Sequence, residues 1–276
     1  MRLRLTACLL LLSCIVTVQA QTARRLSVPL SADGKSELTV YLPERPSPSG
    51  MAIVGCPGGG YSHLSVQNEG HDWAPFLNGH GIAYAVLTYR MPEGDRNVPL
   101  SDAYDAMRTM RDSAAVWHVT PSAVGIMGFS AGGHLASAVS THAPQAVRPD
   151  FTVLFYPVIS MNPAVSHKGS CTNFLGEDLE DEAVMKQWSS DLAVRSSPAP
   201  PAVVMLANDD RTVPPVTNGI AYYSAMCGAG NSCSLFVWPS GGHGFGFRKT
   251  FPFHEQMKAE LLRWLDTAAL PPADNR

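Results

Sequence analysis

The stretch GFSAGGH, residues 128–134, sets one serine between glycines and places a histidine four positions after it. Two readings compete: a nucleophile on a tight strand-to-helix turn, or a small-residue turn with an incidental serine. The pentapeptide Gly-x-Ser-x-Gly does not choose between them, because a short motif also matches by chance. Its flanks do. AVGIMGF (123–129) is an apolar run of strand length, and AGGHLASAVS (131–140) is a helical segment rich in small residues. A chain turning sharply from strand to helix needs residues without bulk; Gly128 and Gly132 supply the clearance, and Ala131 and Gly133 extend it. The turn presents the Ser130 hydroxyl, and the next helix aims its positive amino end at developing negative charge.

A serine hydroxyl is a poor nucleophile at neutral pH, so a base must accept its proton and an acid must orient that base. The chain order serine, aspartate, histidine is the one expected for such an elbow. AVVMLANDDRTVPP (202–215) reads as a strand running into two acids, Asp209 and Asp210, and then a proline turn. SLFVWPSGGHGFGF (234–247) reads as a strand running into a glycine-flanked His243. His134 is the rival base, but it lies one helical turn beyond Ser130, on the helix leaving the sheet, where it packs or bonds beneath the elbow. Acyl transfer also needs fixed donors for an oxyanion. CPGGGY (56–61) leaves another apolar run with three successive glycines, which makes Gly59 and Gly60, joined by the N–H of Ala131, the expected oxyanion hole. A phosphate-binding loop is excluded there, since no Gly-Lys-Ser/Thr follows.

The remaining chain alternates strands and helices. Strands are expected at ELTVYL (37–42), MAIVGC (51–56), IAYAVLTY (82–89), FTVLFYPV (151–158) and at the three runs already quoted. Helices are expected at 69–81, at 100–119, with Ala103, Met107, Met110 and Ala114 on one face, and at 253–269. Such alternation implies a mainly parallel sheet covered on both faces, with reactive side chains in the loops leaving the carboxyl ends of strands.

At 276 residues, 45% hydrophobic and 16% charged, the chain can bury a full core and is not composed like a disordered one. A net charge of -3 without a dense Lys/Arg cluster argues against a nucleic-acid partner. Residues 1–20 have the layout of a secretory leader: Arg2 and Arg4, an apolar run from Leu5 to Val18 too short to span a bilayer, then VQA before Gln21. Cleavage after Ala20 leaves 18 basic against 23 acidic residues, a charge of -5. A lipoprotein signal presenting Cys14 competes, but Leu12 fits it poorly and the apolar run continues past Cys14. Residues 21–276 then form one domain. Of its four cysteines, Cys227 and Cys233 flank the turn-rich GAGNS; a bridge between them and two separate thiols are both open. No Cys/His spacing resembles a zinc site, and no metal or organic cofactor is expected.

The motifs CPGGGY, YRMP, GFSAGGHLA, DDRTVP and GGHGFG, in this order, resemble those of bacterial secreted esterases of the α/β-hydrolase superfamily, the group that includes acetylxylan and related carbohydrate esterases. The resemblance runs from about Leu38 to Leu265. It implies a three-layer α/β-hydrolase fold, a Ser130–Asp210–His243 triad and deacetylation of sugars, so the expected partner is an acetylated carbohydrate. It favours Asp210 over Asp209, because the acid of that family precedes a two-residue gap and then valine, as in DRTV. It also implies a helical insertion after the sixth strand, here 161–199, from which Ser170, Asn173 or Trp188 could touch substrate. Lipase-like relatives carry histidine before the oxyanion glycines; Pro57 stands there instead, which points to the carbohydrate-esterase branch and leaves Cys56 as packing. Tyr61, bordering the glycines, is a stacking platform for a sugar, Trp238 belongs to the core, and Glu69 caps or anchors the helix that follows it.

Overall fold

A computed structural model describes residues 24–195 and 198–270; the leader and lipidation readings at 1–20 fall outside them. Among the described residues, eight strands form one sheet: β1 Arg24–Pro29, β2 Glu37–Leu42, β3 Ala52–Cys56, β4 Ala83–Thr88, β5 Val124–Phe129, β6 Thr152–Phe155, β7 Ala202–Ala207 and β8 Cys233–Trp238. Their spatial order is β1-β2-β4-β3-β5-β6-β7-β8. β1–β2 and β2–β4 pair antiparallel, and every other pair is parallel. The helices are α1 Ala74–Gly79, α2 Asn97–Asp112, α3 Ala114–Trp117, α4 Ala131–His142, α5 Lys168–Leu175, α6 Glu182–Trp188, α7 Ser190–Ala193, α8 Ala221–Gly228 and α9 His254–Thr267.

The strand alternation of side chains sorts the central residues between two cores. Val54, Ile126, Leu154 and Val204 face one layer, where Met107 of α2, Leu135 of α4 and Met226 of α8 meet them. Their neighbours Ile53, Met127, Val153 and Val203 face the other, against Trp73, Leu77 of α1 and Leu261 of α9. Because β5, β6 and β7 are buried on both faces, they read as continuous apolar runs rather than alternating ones.

β1 was not expected. RRLSVP opens on two arginines and lies at an edge, so burial leaves little apolar signal in it. FTVLFYPV is shorter than its composition suggests: the strand stops at Phe155, and Tyr156 takes φ 35° ahead of Pro157. The helix expected from residue 69 is regular only from Ala74, after a 3₁₀ turn at His71–Trp73, with Pro75 in the first turn where its missing N–H costs nothing. α5, α6 and α7 lie between β6 and β7, where the helical insertion was expected. Cys227 and Cys233 are both free thiols, so the bridge left open by the sequence does not form here. Burial pushes the Cys233 thiol up to about 12.

Candidate active site

Four loops leaving the carboxyl ends of β3, β5, β7 and β8 converge at one edge of the sheet. β5 delivers Ser130 in a conformation that L-residues rarely adopt, φ 51° and ψ -120°, and the surroundings hold it there. Its N–H donates to the Phe155 carbonyl at 3.1 Å, and its own carbonyl accepts from Val158 at 3.0 Å and His134 at 3.1 Å. α4 starts so close to the exit of β3 that a Cβ on Gly132 would collide with the Cys56 and Pro57 carbonyl oxygens. That contact sets Ala131 beside the glycine loop.

Ser130 and Asp210 are buried and His243 is half-buried. The Ser130 hydroxyl lies 2.8 Å from His243 Nε2, and His243 Nδ1 lies 2.7 Å from Asp210 Oδ2. Asp210 Oδ1 accepts the N–H groups of Thr212 and Val213 at 2.9 and 3.0 Å, so the carboxylate is fixed through both oxygens. This assigns the imidazole proton to Nδ1 and leaves Nε2 to accept from the serine. Asp209 is exposed and acts elsewhere. Its Oδ1 takes the Gly242 N–H at 2.8 Å and ties the histidine loop to the end of β7. That bond holds its carboxyl below the usual range.

The glycine loop is held from four sides. The Gly58 N–H donates to Glu69 Oε2 at 2.8 Å, and the Gly58 carbonyl accepts from Ser65 at 2.9 Å. Tyr89 donates its hydroxyl to the Pro57 carbonyl at 2.7 Å, and Asn173 Nδ2 donates to the Gly60 carbonyl at 2.8 Å. Gly59 turns at φ 135°, a region open to glycine. The N–H groups of Gly59, Gly60 and Ala131 have no acceptor among the described residues. Gly59 and Gly60 line the same cavity as Ser130, and Ala131 follows Ser130 directly in the chain.

Three expectations from sequence change. Tyr61 is 2% exposed and packs on Phe174 and Tyr89, with its hydroxyl donating to His134 Nδ1 at 2.8 Å, so it is a buried brace and offers no face to a sugar. Glu69 caps no helix. Its carboxylate, also accepting the Tyr156 hydroxyl at 2.8 Å, links the glycine loop to the histidine loop, because Tyr156 in turn accepts the Gly246 N–H at 2.9 Å. Burial raises the Glu69 carboxyl despite these bonds. Of the insertion residues, Trp188 is buried and Ser170 bonds His167, while Asn173 borders the cavity with its amide committed to Gly60. His134 is fully buried between Tyr61 and the Trp188 carbonyl, where burial lowers its pKa to about 4. It is out of the site, as is Cys56, whose thiol burial pushes up. Trp238 packs in the core.

The cavity over Ser130 measures about 400 Å³. Apart from three imidazoles, no aromatic side chain lines it among the described residues, and no aliphatic one does either. Besides Ser130 and His243, its walls are glycines, Ser62, Ser65, Asn68, Glu69, Asn173, Thr212 and Arg248, with His63 and His167. Asn68, Arg248 and the two histidines carried no motif and sit in irregular segments, so no pattern in the chain marked them. No group of three or more His, Cys, Asp or Glu side chains suited to a metal occurs among the described residues. No helix among them is long and apolar enough to cross a membrane.

A family model described as alpha/beta hydrolase fold matches residues 54–247, and the chain belongs to that family. Among known proteins, it is 55% identical over 265 residues to an acetylxylan esterase of Xylanibacter ruminicola, covering 96% of this chain and 55% of that protein. It is 29% identical to endo-1,4-beta-xylanase B of Butyrivibrio fibrisolvens over 68% of this chain and 31% of that one. The chain therefore spans about half or less of these two curated relatives. Among solved structures, an acetyl ester-xyloside bifunctional hydrolase from Caldicellulosiruptor lactoaceticus superposes with a TM-score of 0.78 at 30% identity, covering 88% of this chain and 96% of that one.

Proposed function

We propose that this protein is a serine esterase that removes acetyl groups from xylan or its oligosaccharides. The observation that carries the reading is the Ser130–His243–Asp210 relay, with bonds of 2.8 and 2.7 Å, at a cavity that Gly59 and Gly60 also line. Ser130 Oγ attacks the ester carbonyl carbon while its proton passes to His243 Nε2. Asp210 holds the ring and stabilises the imidazolium. The carbonyl oxygen becomes an oxyanion held by Gly59, Gly60 and Ala131. When the tetrahedral intermediate collapses, the bond to the sugar oxygen breaks and Nε2–H protonates that oxygen. Water, losing its proton to Nε2, then attacks the acetyl-enzyme, and acetate leaves with the serine restored.

The lining supports acetyl over feruloyl esters: among the described residues no aliphatic side chain, and no aromatic one besides histidine, is there to pack against an aromatic acyl group, whereas a methyl group needs little. The likeness to the Xylanibacter ruminicola acetylxylan esterase supports a xylan-derived substrate. The reading includes export by the leader at 1–20 and one catalytic domain over 21–276, with 161–199 covering the site. The test is acetate release from acetylated xylan beside hydrolysis of methyl ferulate, with Ser130→Ala as control. Turnover of the acetylated glycan, falling by several orders of magnitude in the folded variant, is expected. Preference for the ferulate ester, or near-normal activity of Ser130→Ala, overturns it.

A further inference from the structure

His167 precedes α5 and borders the cavity over Ser130. Its Nδ1 accepts the Ser170 N–H at 3.2 Å, which caps α5, and lies 2.8 Å from the Ser170 hydroxyl. A nitrogen that accepts a backbone N–H carries no proton, so in the neutral ring the proton is on Nε2. Nε2 has no partner among the described residues and belongs to a side chain that lines the cavity. The ring stands next to the oxyanion loop: a Cβ on Gly60 would lie 3.4 Å from His167 Cε1. Burial lowers its pKa, which favours the neutral ring.

What such a donor can meet follows from the substrate. An acetyl ester offers a methyl group, a carbonyl oxygen claimed by three backbone N–H groups, and an alcohol part. Only the alcohol part has oxygens left to accept. We infer that His167 is a specificity-determining residue whose Nε2–H donates to an oxygen of the sugar that carries the acetyl group, beside the ester being cut. The inference rests on the esterase reading above and extends it to the leaving alcohol. The same insertion also fixes the oxyanion loop through Asn173, so α5 positions the loop and reads the alcohol together.

The test compares kcat/KM for an acetylated xylo-oligosaccharide with kcat/KM for p-nitrophenyl acetate, whose alcohol has no neighbouring hydroxyl. His167→Asn keeps an acceptor where Nδ1 was, so the cap on α5 survives, but it removes the Nε2 donor. His167→Ala removes both. The ratio of sugar to aryl ester is expected to fall about tenfold in both variants, the effect of one lost hydrogen bond, while the melting temperature drops only in His167→Ala. A ratio unchanged in His167→Asn, or lowered only in His167→Ala, assigns the residue to capping and overturns the inference. A wild-type enzyme that hydrolyses p-nitrophenyl acetate but releases no acetate from the oligosaccharide overturns the substrate reading instead, and this inference with it.

Discussion

Glu69 gives the sharpest test of how the site is held. Its two carboxylate oxygens each accept one donor at 2.8 Å, Gly58 N–H and Tyr156 O–H, and the side chain is buried. An ionised carboxylate is an acceptor at both ends, which matches two donors. In Glu69→Gln the amide oxygen can serve Gly58 or Tyr156, but the amide NH₂ then faces the other donor. One buried polar group is left without a partner, at about 1–3 kcal/mol. For a chain of this size that lowers the melting temperature by about 2–4 °C per kcal/mol. The catalytic effect is separate. Gly58 adjoins the proposed oxyanion donors, so its release misplaces Gly59 and Gly60 without removing them. Since deleting one such donor costs about 10²–10³ in kcat, displacement is expected to cost about tenfold to a hundredfold, with KM changed little. Initial rates with p-nitrophenyl acetate and a thermal melt read both quantities. A variant that melts lower but keeps wild-type kcat would defeat this account: Glu69 would then stabilise the fold without positioning the loop.

Three further outcomes follow from the same geometry. Asp210→Asn, which removes the carboxylate from the relay, is expected to lower kcat by about 10⁴, whereas Asp209→Asn, which keeps an acceptor for Gly242, should cost far less; equal losses in the two steady-state assays would contradict the assignment. His134 is buried neutral, its pKa lowered from 6.5 to about 4. The unfolded chain therefore binds the extra proton first as pH falls, and stability is lost between about pH 6.5 and pH 4, by about 3 kcal/mol. A His134→Gln protein should show a flatter denaturation midpoint across that window, even if its absolute stability is lower. Finally, Cys227 is exposed, while Cys56, Cys171 and Cys233 are buried or half-buried with thiols that burial pushes up. Alkylation followed by peptide mapping should find Cys227 modified before the other three, and a protected Cys227 would argue for the bridge that is missing here.

Features with local causes were legible in the chain alone. Apolar runs of strand length located β2 and β7 to the residue, and the central strands to within a few residues at each end. The glycines around Ser130 announced the turn, because a sharp strand-to-helix corner excludes bulk whatever lies around it. β1 escaped because an edge strand buries little and so leaves little hydrophobic record. Whatever depends on which strands are neighbours emerged only in the folded arrangement. Asp209 and Asp210 differ by one position, and only the exit of β7 beside β8 turns Asp210 toward His243 and Asp209 toward Gly242. Tyr61 looked available beside the glycines, but α4 and the insertion close over it, so its ring is used in packing. Glu69 and Tyr156 stand 87 residues apart in sequence, and neither pattern nor propensity links them. His167 gains its meaning from a loop roughly a hundred residues earlier in the chain. Periodicity records the environment of one element at a time; pairings between side chains on different elements exist only once the order of the sheet has brought those elements together.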